Sequence, residues 1–152
     1  MADKLKVTNE IIIDAPATKV WDALVNPAQT KKYMFGCETI SDWKVGSPLL
    51  WRGHHEGKDV VFVAGNVIEI KAPTLLKYSV IDAFATYPHT PENHLKVTYE
   101  LREEGKQTKL TVIQDGFEGA AEGEKRYKDT YNKGEGWNPI LVLIKKIAEE
   151  GN

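Results

Sequence analysis

The chain has 152 residues, 41% of them apolar and 28% charged, with a formal net charge of -2 at neutral pH. That is the balance of an ordinary globular domain. The 20 Lys and Arg are dispersed among 22 Asp and Glu rather than gathered in a stripe, which leaves no electrostatic case for nucleic acid. A single cysteine, Cys37, excludes an intrachain disulfide and a cysteine-rich metal site.

Residues 1–152 suit a single domain with its own core, and no repeat, low-complexity tract or linker divides them. The segment Met1 to Lys6 has no apolar stretch of signal-peptide type. The longest strongly apolar run, Ile140 to Ile144, falls far short of the ~20 residues that span a bilayer. A cytoplasmic location without membrane insertion is expected, and a lone thiol suits a reducing compartment.

Residues 4–13 alternate as a strand, with Leu5, Val7, Ile11 and Ile13 on one face and Lys4, Lys6 and Glu10 on the other. Asp14 and Pro16 then signal a helix start, where a carboxylate is favoured by the helix dipole. Ala17, Val20, Trp21 and Leu24 supply its buried stripe. Asn26-Pro27 ends that helix and caps a second, short one through about Met34.

From Gly46 to Asp115 the pattern is of strands. Leu49 and Trp51 share a face in Pro48 to Gly53, and His54 to Asp59 reads as a polar hairpin tip around Gly57. Val60 to Ile70 is apolar on both faces, as for a strand covered on both sides. After a turn at Lys71 to Thr74, Leu75 to Ile81 places Leu76, Tyr78 and Val80 together. Ala83 to Asn93, with two prolines, reads as a loop. Leu95, Val97, Tyr99 and Leu101 alternate with polar residues, and after a turn at Glu103 to Lys106 the last strand turns Leu110 and Val112 inward. Six or seven strands joined by short turns make an antiparallel sheet. Glu122 to about Glu150 then carries a helical period of ~25 residues, about 37 Å, with a kink or break expected between Gly134 and Pro139.

Residues arranged for chemistry are scarce. His54-His55-Glu56 resembles a metal site only superficially, since neighbours in extended chain point to opposite sides, and it reads as a polar turn. His89 and His94 have no partner at a recognisable spacing and are expected in solvent. Glu69, Asp82 and Asp115 are the carboxylates to test as acid–base pairs, with exposed or ion-paired groups as the simpler reading. Cys37 reads as a small buried thiol. No nucleophile elbow, phosphate loop or dinucleotide fingerprint is present, so no catalytic residue, metal or cofactor is expected.

What remains is aromatic. Tyr33, Phe35, Trp51, Phe62, Tyr78, Tyr99, Tyr131 and Trp137 fall on stripes expected to face inward. Rings with polar tips suit a pocket carrying a few fixed polar contacts. A sheet closing on a single long helix leaves an interior that side chains do not fill, so a cavity is expected in preference to a solid core. The expected lining is Trp51, Tyr78, Val97, Tyr99, Trp137, Leu141 and Ile144, with Tyr33 near the mouth. The loop Tyr87 to Asn93 and the weak segment Gly134 to Pro139 are the expected gates.

Ile13-Asp14-Ala15-Pro16 followed by Val20-Trp21-Asp22-Ala23-Leu24 resembles the N-terminal signature of START-like (SRPBCC) domains. Asn26-Pro27, Thr108 to Val112, Gly116-Phe117 and Gly136-Trp137 with Leu141 and Ile144 continue the likeness over residues 5–149. Within that group the chain is similar to homologues of the activator of the heat-shock chaperone ATPase (AHSA type). It departs from them at Gly46-Ser47-Pro48, where a Gly-Gly pair is common, at Gln114, where many carry His, and at Pro139. The resemblance implies an α+β helix-grip fold, a curved antiparallel sheet around a long C-terminal helix with two short helices after the first strand.

Three functions follow from that resemblance. The first is binding of a small hydrophobic or amphipathic molecule, lipid or polyketide-like, in the cavity. The second is a cochaperone-like activator of a heat-shock chaperone ATPase, a stress-response role that ranks lower because few residues precede the first strand. The third is a cyclase or aromatase using the cavity to orient a reactive polyketide. The resemblance carries no catalytic constellation onto these residues.

Overall fold

The computed structural model describes residues 5–150. The first strand, β1 (Val7–Ile13), leads into helices α1 (Ala17–Val25) and α2 (Pro27–Tyr33). Strands β2 (Glu38–Ser41), β3 (Pro48–His55), β4 (Lys58–Lys71), β5 (Leu75–Asp82), β6 (Leu95–Glu104) and β7 (Gln107–Asp115) follow, then helices α3 (Gly123–Tyr131) and α4 (Asn138–Glu149). Among the described residues the seven strands form one sheet in the order β1-β7-β6-β5-β4-β3-β2, every pair antiparallel. The α+β architecture expected from the sequence is the one observed. The expectation for Lys4 lies outside the described residues. Among those residues, no helix is long and apolar enough to cross a membrane.

Local chemistry sets each junction. The Asn26 side chain accepts from the Ala28 N–H at 3.0 Å, capping α2 and placing Pro27 where its missing N–H costs nothing. At α1 the carboxylate comes from elsewhere than expected: Glu103, on β6, accepts from the Ala17 N–H at 3.1 Å. Helix α1 carries no acidic residue in its first turn, so a strand-borne charge sits at its positive end. Between β3 and β4 the two-residue turn Glu56-Gly57 has φ of 52° and 77°, the pair of positive values a type I′ hairpin requires.

The sheet departs from the expected pattern in two places. Strand β2 has no signal in the sequence pattern, because four residues, three of them polar, carry too little periodicity. Strand β4 is not covered on both sides: Asn66, Ile68 and Glu69 face solvent while Gly65 and Val67 are buried. Register shifts at Trp51/Arg52 and Val67/Glu69 interrupt the ladders on either side of β4. Such shifts bend a strand and increase its twist. Gly65 lets β5 approach: a Cβ there would stand 1.7 Å from the Ser79 carbonyl oxygen.

The C-terminal helical segment is broken, as expected, but into shorter pieces than a kinked ~25-residue helix: α3, a single 3₁₀ turn at Asn132–Gly134, and α4. Asn132 (φ 49°), Lys133 (55°), Gly134 (97°) and Gly136 (53°) interrupt the helix, so the break starts two residues before the expected one. Pro139 does not interrupt a helix; it sits in the first turn of α4, where proline is tolerated. Twelve residues give α4 about 18 Å. It packs on β1 and α1, burying Leu141, Ile144 and Ala148. Helix α3 buries no residue.

Two outcomes should follow. Gly65→Ala should destabilise the protein by about 3 kcal/mol or more in denaturant unfolding, the upper end for overpacking, because backbone stands in the way. Glu149 is the second case. The Lys145 ammonium, and then the Asp14 N–H donating at 2.7 Å, hold its carboxyl below the usual 4.5. A depressed carboxyl stabilises the fold above its ordinary pKa and loses that contribution as pH falls through the folded value. Wild type should therefore exceed Glu149→Gln in stability at neutral pH, with the gap closing below pH 4.5.

Candidate functional site

A chamber of about 410 Å³ lies on the buried face of the sheet. Strands β3 to β7 contribute Trp51, Phe62, Val63, Tyr78, Val80, Val97 and Gln114. The turn from α2 into β2 contributes Met34, Phe35 and Cys37, and Trp137, at the N-terminus of α4, forms the end wall. Its position follows from the broken helix. Helix α4 is too short to reach β3 and β4, so the space a longer helix would fill is closed by the α2–β2 turn instead.

The aromatic rings form a continuous row across the sheet. Ring centroids are 6.1 Å apart for Trp51–Tyr78, 6.0 Å for Tyr78–Tyr99 and 5.9 Å for Tyr99–Trp137, the last edge to face. Trp137 is fixed at both ends: its backbone N–H donates to Asn9 Oδ1 at 3.0 Å and its indole N–H to Gln114 Oε1 at 2.9 Å. The Tyr78 hydroxyl donates to the Tyr99 hydroxyl at 3.4 Å. The Tyr33 hydroxyl donates to the Ala23 carbonyl at 2.7 Å, tying α2 to α1.

Burial raises the pKa of all three phenols, Tyr33, Tyr78 and Tyr99, because a phenolate there would lose its hydration. Burial also raises the Cys37 thiol, so it stands as a neutral S–H rather than a nucleophile.

A second, more open cavity of about 550 Å³ adjoins the first, sharing Phe62, Val63 and Val80. Its far side is polar, with Asp82 at the end of β5 and Arg126, Asp129 and Thr130 on α3. The Arg126 guanidinium lies 4.9 Å over the Tyr87 ring and donates to the carbonyls of Asn93 at 2.8 Å and Ala121 at 3.2 Å.

Of the eight expected lining residues, Trp51, Tyr78, Val97 and Trp137 stand at the chamber wall. Leu141 and Ile144 do not, because α4 presses them into the core beside β1, fully buried. Tyr99 lies in the packed layer beside Tyr78, and Tyr33 is buried against α1 rather than at a mouth. Phe35 and Tyr131 do not face inward. Phe35 is 92% exposed at the rim of the chamber, and Tyr131 stacks on Tyr127 at the surface. Sequence reasoning missed Met34, Cys37, Val63, Val80 and Gln114 as lining. Strand phase could have signalled two of them, Val80 in register with Tyr78 on β5 and Gln114 in phase with Leu110 and Val112 on the last strand.

The expected gates are pinned. The Asn93 side chain donates to the Pro88 carbonyl at 2.8 Å and accepts from the Ala121 N–H at 2.9 Å, closing the 87–93 loop onto the chain before α3. His54 pairs with Asp59 at 2.7 Å in solvent. His94 is half-buried rather than exposed, its Nδ1 2.7 Å from the Thr90 carbonyl. Among the described residues no three His, Cys, Asp or Glu gather where a metal ion could sit. Glu69 is exposed on β4, Asp115 is half-buried at the end of β7, and Asp82 reaches only the outer cavity.

Residues 14–149 match the family model described as activator of Hsp90 ATPase homolog 1-like protein. No curated protein matches the sequence. A solution structure from Cytophaga hutchinsonii is 33% identical, covers 94% of this chain and 99% of its own, and superposes with a TM-score of 0.66. A crystal structure from Nitrosomonas europaea is 16% identical with 96% and 95% covered and a TM-score of 0.71. An Hsp90 activator from Plasmodium falciparum is 14% identical with 92% and 96% covered and a TM-score of 0.63. The last two likenesses are of fold.

The buried phenols supply a check on the packing around the chamber. Of the six tyrosines, Tyr33, Tyr78 and Tyr99 should stay protonated in rising pH until the chain unfolds. Phenolate absorbance should therefore gain a late step coincident with loss of tertiary circular dichroism. Free titration of Tyr78 would show the chamber wall open to water, and free titration of Tyr33 and Tyr99 would show the packed layer behind it open as well.

Proposed function

The chain belongs to the activator of Hsp90 ATPase homolog 1-like family, and on that premise we propose that it binds a small apolar or amphipathic molecule, lipid-like or polyketide-like, in the chamber behind β3 to β7. The observation that carries this reading is the chamber itself. At about 410 Å³ it falls at the small end of the ~300–1,000 Å³ range of ligand pockets. Its wall is aliphatic and aromatic carbon except for one amide, one phenol, one thiol, one thioether and the two indole N–H groups.

Covering ~300 Å² of apolar ligand at about 25 cal/mol per Å² gives roughly 7 kcal/mol before the cost of association. That supports useful affinity without a charged contact. The outer cavity, sharing Phe62, Val63 and Val80 with the inner one, offers a polar side to an amphipathic ligand's other end.

A thermal-shift screen of aromatic polyketides and short-chain lipids tests it. A ligand at a hundredfold excess over its Kd should add about 2.7 kcal/mol, a rise of roughly 5–10 °C in Tm for a chain of this size. Val80→Phe, which fills the shared wall, should abolish that rise. If no class shifts the midpoint, or the filled variant responds as wild type does, the binding reading fails.

A second reading has support in the family's description and in the Plasmodium falciparum neighbour, itself an Hsp90 activator. On it, the chain stimulates a heat-shock chaperone ATPase. Stimulation of chaperone ATPase turnover by wild type and Val80→Phe alike would favour that role over ligand binding.

A further inference from the structure

Resting on the binding reading above, we propose that the chamber selects ligands carrying a neutral carbonyl-type oxygen, received by the side-chain amide of Gln114. The geometry of Trp137 decides which way that amide faces. An indole N–H can only donate, so the group 2.9 Å from it must be the Gln114 oxygen, and the amide cannot be turned over. Both amide hydrogens are then directed away from the indole. Gln114 is 8% exposed and lines the chamber. Its Nε2 makes no hydrogen bond to another described residue, and it is not sealed inside protein.

The rest of the wall points the same way. Trp51 is 5% exposed, lines the same chamber, and its indole N–H likewise has no partner among the described residues. The Tyr78 proton is already donated to Tyr99. The chamber therefore offers spare donors, and a hydrocarbon ligand that covers them without supplying an acceptor incurs their desolvation penalty. Nothing positively charged lines the space, so a carboxylate or phosphate would enter without a counter-charge. A ketone, ester, lactone or amide on an apolar body meets both conditions.

Acetylnaphthalene, ethylnaphthalene and ionised naphthoate have similar bodies and differ in the group that reaches Gln114. Measured by calorimetry, wild type should bind the ketone about fivefold more tightly than the hydrocarbon, the span of one neutral hydrogen bond, and bind naphthoate weakest. The infrared carbonyl stretch of the bound ketone should lie lower in wild type than in Gln114→Met, which keeps the volume and removes the donor. Gln114→His should restore the ketone preference, since one ring nitrogen can accept from Trp137 while the other donates. The wild-type preference and the infrared shift need no variant, so a poorly folding Gln114→Met leaves the test intact. Equal binding of ketone and hydrocarbon to wild type, or a preference unchanged in Gln114→Met, overturns the assignment and leaves the chamber as a binding site. Binding of none of the three overturns the binding reading and this inference together.

Discussion

Trp137 decides where the C-terminal chain breaks, and the rest of the architecture follows from that break. Its backbone N–H goes to Asn9 on β1 and its indole N–H to Gln114 on β7, while the Asn9 amide also donates to the Glu135 carbonyl at 3.4 Å and to Asn138 Oδ1 at 3.3 Å. Each such bond contributes about 1 kcal/mol, but together they define one geometry. The chain must reach β1 close enough that no side chain fits at Gly136, where a Cβ would lie 2.3 Å from Asn9 Oδ1. Positive φ at four of the residues from Asn132 to Gly136 achieves that approach.

A helix ended there cannot span the sheet. Helix α4 settles over β1 and α1, where fully buried Leu141 and Ile144 contribute about 1.5–3 kcal/mol each. The half of the sheet from β3 to β5 is left to be covered by the α2–β2 turn, which is a poor cover: Phe35 in it has φ 55° and is almost wholly exposed. The chamber is the volume this mismatch leaves. Unfilled apolar space forfeits dispersion contacts on every wall, so the protein carries a destabilising feature that the packed half, with Ile13, Leu110 and Val112 almost fully buried beneath α1 and α4, has to offset.

The sequence made one half of this legible and obscured the other for a physical reason. Alternation in Leu95 to Leu101, the Asn26-Pro27 cap and the Glu56-Gly57 turn are local signals, and each element they indicated is present. The aromatic positions Trp51, Tyr78 and Trp137 at the chamber wall were readable from strand phase and from the start of the last helix. Burial of Leu141 and Ile144 was also readable, but what buries them was not, because helical periodicity says that a face is covered and not by what. The same pattern fits a rod crossing the sheet and a short helix resting on β1. The choice rests on Asn9, more than 120 residues away in sequence, receiving the Trp137 N–H. Glu103 capping α1 and Asn93 holding the chain before α3 are likewise pairings of residues far apart, without a local signature.

The same logic ranks the walls by how firmly they stand. Trp137 is held by two strands, and Tyr78 and Val97 are paired within the sheet, so the inner chamber has a rigid floor and end wall. Helix α3, on the outer cavity, buries no residue and is too short to hold its shape by helical bonding alone. It is tethered by Arg126 to the carbonyls of Asn93 and Ala121 and by Tyr127 edge-on to Phe117 at 5.4 Å. Elements with so little buried apolar surface open at a small fraction of the global unfolding free energy. Rigidity thus lies where the donors of Gln114 and Trp51 must keep their direction. Compliance lies beyond Phe62, Val63 and Val80, on the polar side through which the inner space joins the outer.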